Sequence, residues 1–366
     1  MRSISQQKES LESMQDICYK KQMEVSVVMC VYNGEAYLAD SMESIVNQTF
    51  QDWELIVIDD GSTDGTLRIL KEYAKRDNRI QVYQNEKNLR LQASLNKALS
   101  LAGGRYIVRM DADDICHRER FERQWRFMES HPEVSVSCCR NFTFDEKGTQ
   151  PRGLARRGDS DAVGAMLLFF CPVVHPAVIA RGDVLRTWKY QETCTCTEDL
   201  DLWLRLTAAG EKIEIQDEYL LMYRQHEKQI TAVTTEKQKQ EYQEIISRFY
   251  ETMLFPLTEE ERNLLTNEIY FGKKKDSDMK GFCRLCRKIL KANREKKRLS
   301  GQAVKYAIFE QLLEYYRTGR SFDRLVQGMV LLSPGFVIKE LVQRSVRTKR
   351  NLRYSKEAAD GFWIRR

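Results

Sequence analysis

Long apolar runs are absent from this sequence, which nowhere approaches the ~20 consecutive apolar residues that a membrane-spanning helix needs. The opening stretch from Met1 to Met23 is also too polar for the apolar centre of a signal peptide. We therefore expect a soluble protein that stays in the cytoplasm. Its 366 residues, 42% of them hydrophobic, are enough for one large core and a second, smaller unit.

Two sequence patterns that bind phosphate groups are missing as well. The chain contains neither the G-x-G-x-x-G turn of dinucleotide-binding enzymes nor the Walker lysine loop of P-loop kinases. A disulfide framework and a zinc site are disfavoured, because the ten cysteines are scattered and the C-x-x-C from Cys283 to Cys286 has no second pair. We expect reduced thiols that pack as small hydrophobic side chains.

The net charge of +6 conceals an uneven distribution. Residues 273–298 contain twelve Lys or Arg against three acidic residues, and residues 341–366 contain eight against two, so the rest of the chain is net acidic. Such a basic region is expected to contact an anionic surface, either phospholipid or nucleic acid. Nucleic acid is disfavoured because the region lacks interleaved aromatic residues and a recognisable binding module.

Strand-like and helix-like segments alternate at short spacing in the first third of the chain, which favours a parallel sheet with helices on both faces. The predicted strands are Val25–Val31, Trp53–Ile58, Ile80–Tyr83 and Tyr106–Val108, and the predicted helices span residues 37–47, 66–75 and 92–102. Beyond residue 130 the predicted elements are a strand at 134–138, a helix at 159–170, an extended piece at 172–179 and a helix at 197–206. From Glu236 onward the chain is predicted to be helical and charged, with interruptions at Pro256 and Pro334.

An acidic cluster, Asp111, Asp113 and Asp114, closely follows the apolar strand that ends at Val108. Because open α/β sheets bind ligands at the carboxyl edge of their strands, we expect the cluster to lie in a binding site. Closely spaced carboxylates repel one another unless a cation offsets their charge, and hard oxygen ligands suit Mg²⁺ or Mn²⁺. A solvated acidic turn is the alternative.

Five segments, in their order and spacing, resemble glycosyltransferase family 2, whose members are inverting enzymes with the nucleotide-sugar-binding fold called GT-A. The segments are Val25 to Asn33, Asp59 to Asp64, Asp111 to Asp114, Glu198 to Arg205 and Tyr223 to His226. The resemblance is to the bacterial surface-polysaccharide type. It implies an α/β, Rossmann-like GT-A domain with a mixed, mainly parallel sheet, followed by a helical C-terminal region.

The resemblance also divides the chain into regions. Residues 1–22 are expected to form a polar extension, and residues 23–235 the GT-A domain. Within that domain, residues 23–115 would bind the nucleotide and residues 116–235 the acceptor. Residues 236–366 would form the helical, basic C-terminal region.

The family's nucleotide-binding positions correspond to Tyr32, Asp60 and Asp111 in this sequence. A carboxylate such as that of Asp60 can accept the N–H of a uracil ring, while an aromatic ring such as that of Tyr32 packs on the base. The resemblance implies Asp113 as the direct metal ligand, with Asp111 contacting the metal or the ribose. The metal, Mn²⁺ or Mg²⁺, would offset the charge that develops on the leaving diphosphate.

Asp199 matches the family's catalytic base, and inverting transfer needs one group that takes the proton of the acceptor hydroxyl. Its neighbour Glu198 is expected to raise the pKa of Asp199 by like-charge repulsion. Alternatively, both acids only favour a helix N-terminus. His226 would complete the metal shell or contact the diphosphate. Further candidate contacts to the donor or acceptor are Asp114, Glu198, His175 and Arg109.

Some of these residues have structural alternatives. His175 precedes Pro176 and could be a packed residue, and Arg109 could serve only to neutralise the acids. Arg90 departs from the family's pattern, because it occupies a loop where relatives often carry a small residue near a glycine. Its side chain could reach a phosphate or point to solvent.

The expected function is transfer of one sugar from a nucleotide sugar, most simply a UDP-sugar, to a saccharide or a polyprenyl-diphosphate-linked saccharide. This step would belong to exopolysaccharide, capsule or lipopolysaccharide biosynthesis. Processive synthases of the same broad family carry membrane helices and a Q-x-x-R-W motif, and neither occurs here. The basic C-terminal region would lie peripherally on the anionic inner face of the plasma membrane, or else cap the catalytic domain or form a dimer contact.

Two other functions stay open. One is a protein that binds a nucleotide sugar without turnover. The other is a sugar nucleotidyltransferase, which would also use a parallel sheet and metal-binding carboxylates. The Gly-rich, basic loop that such enzymes use for the nucleotide is missing after Val31.

Overall fold

A computed structural model of the chain describes residues 23–153, 155–226, 235–272, 278–319, 326 and 330–362. The strands in these ranges are β1 (Val25–Val31), β2 (Trp53–Asp59), β3 (Ile80–Gln84), β4 (Tyr106–Asp111), β5 (Ile115–Cys116), β6 (Val134–Asp145), β7 (Gly148–Pro151), β8 (Val178–Arg181) and β9 (Lys212–Arg224). The helices are α1 (Leu38–Val46), α2 (Thr66–Arg76), α3 (Leu91–Leu101), α4 (Arg120–Ser130), α5 (Ser160–Met166), α6 (Gly182–Trp188), α7 (Glu198–Ala209), α8 (Glu236–Met253), α9 (Glu259–Asn263), α10 (Met279–Lys296), α11 (Gly301–Gly319) and α12 (Pro334–Ala358). A π-helical segment, Leu264–Tyr270, continues α9.

These strands form one sheet in the order β3-β2-β1-β4-β8-β6-β9-β5, with β7 paired to β6. Strands β3, β2, β1 and β4 are mutually parallel, which confirms the prediction from their alternation with helices. Consecutive residues of β1, β2 and β4 are buried, so both faces of these strands are covered, and this explains their continuous apolar runs. Parallel pairing also brings Val31 beside Asp59 and Cys30 beside Asp111 at one edge.

The second half of the sheet was only partly predicted. β6 and β9 pair in parallel over most of their length, whereas the sequence indicated a strand at 134–138 and none at 212–224. The β6–β9 pairing contains several shifts in register, and buried residues follow no regular period along β9. Periodicity therefore could not reveal the full strands. Strand β8 lies antiparallel between β4 and β6 and joins the two halves.

Two predicted elements are shorter or different in the structure. The helix expected at 159–170 is α5, whose N-cap Asp159 accepts a hydrogen bond from the backbone N–H of Ala162 at 3.1 Å. The extended piece expected at 172–179 contains a 3₁₀ turn, His175–Ala177, and only then enters β8. Pro176 lies inside this turn and suits the start of a helical turn better than the middle of a strand.

The C-terminal helices share one hydrophobic core with the sheet. The Tyr250 hydroxyl of α8 donates to the Leu168 carbonyl at 2.9 Å, and the rings of Phe169 and Phe282 lie 6.0 Å apart. The predicted interruptions are confirmed, because α8 ends before Pro256 and Pro334 begins α12. The hydrophobic core is therefore continuous across the predicted boundary at residue 235.

The cysteines in the described ranges are all free, and those at 283 and 286 are buried in α10, as expected for packed thiols. Across the same ranges, no helix combines the length and the apolar character that crossing a bilayer would require. The predicted N-terminal extension, residues 1–22, lies outside the described part of the chain.

Candidate active site

A cleft of about 1800 Å³ follows the carboxyl edge of the sheet. Nine of the ten predicted site residues line it, namely Tyr32, Asp60, Arg109, Asp111, Asp113, His175, Glu198, Asp199 and His226. They come from the ends of β1, β2, β4 and β9, from the 3₁₀ turn before β8 and from the first turn of α7. The remaining one, Asp114, is fully buried behind the cleft.

The end of β2 holds a carboxylate in a fixed orientation. Buried Asp60 accepts hydrogen bonds from the side-chain amide of Asn85 at 2.8 Å and from the backbone N–H of Leu89 at 2.9 Å. Its backbone N–H donates to the Val31 carbonyl at 2.8 Å, which ties the ends of β1 and β2 together. Tyr32, which directly follows Val31 at the end of β1, is 50% exposed at the cleft. A flat ligand could therefore lie between this ring and an oriented carboxylate.

The neighbouring acids have structural tasks. Asp59 accepts a hydrogen bond from the backbone N–H of Ser62 at 3.1 Å and holds the turn after β2. Asp64 accepts from the backbone N–H of Thr66 at 3.0 Å at the start of α2, and from that of Glu35 at 3.2 Å. Neither residue lines the cleft.

The acidic cluster has the donor set of a divalent-cation site. Carboxylate oxygens of Asp111, Asp113 and Asp114 all lie within 4.8 Å of one another. The Nε2 atom of His226 lies 3.0 Å from Oδ2 of Asp113, so an imidazole nitrogen adjoins the oxygens. Oxygen ligands with one nitrogen suit Mn²⁺ or Mg²⁺, and the residues present fit such an ion.

Asp114 orients the cluster from behind. One of its oxygens accepts a hydrogen bond from the backbone N–H of Arg224 at 2.9 Å, and the other is buried without a hydrogen-bond partner among the described residues. Burial, and then the charges of Asp111 and Asp113, raise the pKa of Asp114 well above its usual value. This position favours an orienting task over contact with the donor sugar.

Arg109 is a buried cation beneath the cleft. Its guanidinium forms an ion pair with Asp111, and its Nε has no hydrogen-bond partner within the described ranges. Burial is the largest influence and would lower the pKa of Arg109, but the charge and hydrogen bond of Asp111, together with Tyr190 and Asp114, outweigh it, and the net change is upward. Burial likewise raises the pKa of Asp111 although Arg109 opposes this. These contacts favour the neutralising alternative for Arg109, while its place in the cleft keeps a phosphate contact open.

Two adjacent carboxylates, Glu198 and Asp199, begin α7 at the far side of the cleft. Burial, and then the charge of Asp199, raise the pKa of Glu198 to about 8. The pKa of Asp199 is also raised, with burial as the main cause. The expected direction for Asp199 is therefore right, but the like-charge repulsion acts chiefly on Glu198. Near neutral pH Glu198 is therefore mostly protonated and neutral.

His175 has the character of a packed residue at the cleft wall. Its Nε2 lies 2.7 Å from the Tyr190 hydroxyl, and its ring is 6.0 Å from that of Trp203. Burial, and then Arg109, hold its pKa well below the usual range, so the ring is neutral. These observations favour the structural alternative for His175.

Sequence reasoning missed two residues that hold the site together. Arg224 donates from Nε to the Asp113 carbonyl at 2.8 Å and from Nη2 to Asp40 at 3.0 Å, so it clamps the acidic turn to α1 and β9. Its position in the segment Tyr223 to His226 was the available signal.

Glu241 is the second missed residue, and it lies on α8. Its carboxylate accepts hydrogen bonds from the Thr195 hydroxyl at 2.7 Å, the Cys196 backbone N–H at 2.9 Å and the Thr197 hydroxyl at 3.3 Å. These residues directly precede Glu198, so α8 fixes the start of α7. No local sequence signal joins positions this far apart.

Comparison with known proteins identifies the family of this chain. Residues 26–177 match the family model described as glycosyl transferase family 2. EpsE of Bacillus subtilis (strain 168), named as a glycosyltransferase, is 42% identical over 190 residues, which cover 51% of this chain and 67% of EpsE. The amylovoran biosynthesis glycosyltransferase AmsE of Erwinia amylovora is 32% identical over 202 residues, which cover 54% of this chain and 75% of AmsE. The chain belongs to glycosyltransferase family 2.

The fold of this family 2 protein resembles a solved structure across nearly its whole length. The crystal structure of S. aureus TarS 1-349 in complex with UDP-GlcNAc superimposes with a TM-score of 0.55 at 19% identity, covering 89% of this chain and 92% of that chain. The predicted family and the predicted α/β fold with a helical C-terminal region are thus confirmed. The family model ends at Ala177, so Asp199 and His226 lie outside the matched residues although both line the cleft.

The departure at Arg90 has a backbone consequence in this glycosyltransferase. Arg90 precedes α3 with φ 74° and ψ 164°, a combination that glycine adopts easily and other residues adopt at a cost. Its side chain is exposed at the cleft. Arg90 therefore carries backbone strain at the rim of the cleft.

Proposed function

We propose that this family 2 protein is an inverting glycosyltransferase that moves a single sugar from a UDP-sugar to a saccharide acceptor. The observation that carries the proposal is that a nucleotide-side carboxylate, an acidic metal-type cluster and a raised-pKa carboxylate line one cleft. The solved TarS complex with UDP-GlcNAc supports uridine as the base. The names of AmsE and EpsE support the reaction class.

The donor would lie across the carboxyl edge of the sheet. Tyr32 packs on the uracil ring, Asp60 accepts its N–H, and Asp111 contacts the ribose or the metal. Asp113, Asp111 and His226 are the proposed ligands of Mn²⁺ or Mg²⁺, which when bound offsets negative charge on the diphosphate.

Transfer would proceed in one in-line displacement. The acceptor hydroxyl attacks the anomeric carbon, the bond from that carbon to the diphosphate oxygen breaks, and Asp199 takes the hydroxyl proton. The raised pKa of Asp199 brings its basicity closer to neutral pH, which favours proton transfer at working conditions. Configuration at the anomeric carbon is inverted because the leaving group and the nucleophile occupy opposite faces.

The acceptor we propose is a saccharide or a polyprenyl-diphosphate-linked saccharide in exopolysaccharide, capsule or lipopolysaccharide biosynthesis. Support comes from AmsE, whose name places it in amylovoran biosynthesis. The protein would then act in the cytoplasm, peripherally at the inner face of the plasma membrane, where such lipid-linked acceptors are accessible.

The test is binding and hydrolysis of UDP-, GDP- and dTDP-sugars with Mn²⁺ by the native protein and by Asp113→Ala and Asp199→Asn. We expect one UDP-sugar to be turned over, metal dependence to be lost in the first variant, and turnover to fall by about 10²–10⁴-fold in the second with binding retained. Asp183→Asn is the matched control, because Asp183 also lies in the first turn of a helix, α6, but outside the cleft.

Three results would contradict the proposal. If no sugar nucleotide binds, the donor assignment fails. If a donor binds but neither hydrolysis nor transfer to added acceptors occurs, a binding protein without turnover is favoured. If Asp183→Asn loses as much turnover as Asp199→Asn, then Asp199 serves only the helix N-terminus.

A further inference from the structure

The C-terminal helix α12 turns its polar side toward the protein. Its buried positions are Val337 and Ala358 near the two ends and the polar residues Glu340, Asn351 and Ser355, and between these Arg344 and Arg347 also point inward. A surface helix normally does the reverse and buries an apolar stripe. Apart from Phe336, Val337 and Ala358, which pack inward, the apolar residues of α12 are left for another surface.

The outward face of α12 is apolar in its first half. Ile338, Val342 and Val346 recur every fourth residue and are 57%, 60% and 62% exposed. Leu341 borders this stripe, and Val330 just before the helix is 77% exposed. Contiguous exposed apolar side chains on a helix are typical of an interaction site.

The same face is cationic in its second half. Lys349, Arg353 and Lys356 continue the stripe at spacings of four and three residues, and all are exposed. Within the described ranges, Lys349 and Lys356 have no ion-pair partner, and Arg353 pairs only with the exposed Glu357 of its own helix. Pairs of this kind between exposed side chains are weak.

Much of the remaining positive charge of α12 is neutralised inside the protein. Arg344 pairs with Glu310 of α11, Arg347 with Glu340, and Arg350 with Asp217 of β9. Arg344 thus fastens α12 to α11, while Arg350, through Asp217, and Arg347, which donates to the Ala155 carbonyl at 3.0 Å, fasten it to residues 23–235. The outward cations are free to meet an external anion.

We infer that the outward face of α12, formed by Ile338, Leu341, Val342, Val346, Lys349, Arg353 and Lys356, docks on an anionic phospholipid surface. The apolar half enters the boundary between headgroups and acyl chains, while the cationic half contacts phosphate groups. This inference does not depend on the proposed transferase chemistry, although it would hold the enzyme near a lipid-linked acceptor.

A second copy of the chain fits this face less well. A two-fold axis that pairs two α12 helices antiparallel would set each cationic half against an apolar half, and a parallel pairing would set cations against cations. An anionic bilayer satisfies both halves at once. The positive surface also continues past the start of α12, because Arg294, Lys297 and Lys305 line a cleft beside Pro334.

The experiment is flotation of the full chain with vesicles of phosphatidylcholine alone or of phosphatidylcholine mixed with phosphatidylglycerol. Two double variants are compared with the native protein: Val342→Glu with Val346→Glu, and Lys349→Glu with Lys356→Glu. Matched controls are Leu101→Glu, an exposed apolar residue at the end of α3, and Lys71→Glu with Lys75→Glu on the exposed side of α2. None of these positions lines the active-site cleft, and urea denaturation checks that each variant is folded.

We expect the native protein to float with the anionic vesicles only, and less so at high salt. Each α12 double variant should bind at least about tenfold more weakly, while the controls bind as the native protein does. The inference is overturned if the native protein ignores anionic vesicles or if the controls lose as much binding. It is also overturned if the native chain is a dimer that Val342→Glu with Val346→Glu converts to a monomer without any vesicle binding.

Discussion

The two sides of the cleft hold their carboxylates in different ways. On the nucleotide side, Asp60 is oriented by Asn85 and Leu89, which belong to the same parallel half of the sheet. On the opposite side, the segment before Asp199 is held by Glu241, which belongs to a helix outside the sheet. The proposed nucleotide site is therefore built from neighbouring strand ends, whereas the proposed base depends on the packing of the C-terminal helices. The two functions should respond separately to mutation.

The largest separation is expected for Asp60→Asn. This change replaces a carboxylate acceptor by an amide, and hydrogen bonds to charged groups contribute about 1.5–3 kcal/mol. UDP affinity should fall about 10–100-fold, while binding of pyrophosphate with Mn²⁺ is unchanged because Asp60 lies on the base side. Calorimetric titration with both ligands measures this, and equal weakening of the two would argue against a base contact.

Glu241→Gln should have the opposite profile. The glutamine side chain keeps the shape of glutamate but presents an amide to donors, so the start of α7 loosens and the base shifts. We expect kcat to fall about tenfold with the donor KM unchanged, since small misplacements of catalytic groups are costly.

The control for this variant is Glu340→Gln. Glu340 is a similarly buried glutamate, but it holds Arg347 on α12 and not the base-bearing segment. Both variants should lose some stability on urea denaturation, and only Glu241→Gln should lose turnover. A matching loss of kcat in both would mean that Glu241 contributes stability alone.

The carboxylate pair gives a smaller, pH-dependent effect. Glu198 has a pKa raised to about 8, so it is neutral below that pH and negative above it. As the pH rises through this value, the added charge should weaken binding of the anionic donor. In Glu198→Gln this alkaline weakening should disappear, and titrations of UDP on both sides of pH 8 compare the two proteins. If UDP binding to Glu198→Gln still weakens at alkaline pH, another group causes the weakening.

Arg90→Gly should produce the smallest effect, and on stability only. Glycine relieves the strained backbone at φ 74°, but its extra freedom in the unfolded chain offsets part of this gain. The free energy of unfolding should therefore rise by about 1 kcal/mol. Arg126→Gly, in the exposed middle of α4, should instead lose about 1 kcal/mol. Urea denaturation measures the change in the free energy of unfolding for both variants. A loss in both variants would indicate that Arg90 is unstrained.

Local sequence was most informative where strands are apolar on both faces. β1 begins and ends where predicted, and β2 and α1 to α3 differ from the predictions by a residue or two. β6 and β9 were largely missed because their partners, and not their own periodicity, keep the chain extended. Nine of the predicted site residues line the cleft, and those at the ends of β1, β2 and β4 meet there because strand ends in a parallel sheet converge. Their individual roles stay predictions.

By itself, the sequence determined the family, the parallel half of the sheet and the edge at which the acids gather. These follow from residue types over short stretches, where apolar runs, turns and carboxylates act on their neighbours. Only the tertiary structure decided that Asp114 lies behind the cleft, that Glu241 supports Asp199, and that α12 faces outward with its apolar side. Each of these depends on which surfaces meet across long separations in the chain, and burial and ion pairing exist only once those surfaces have met.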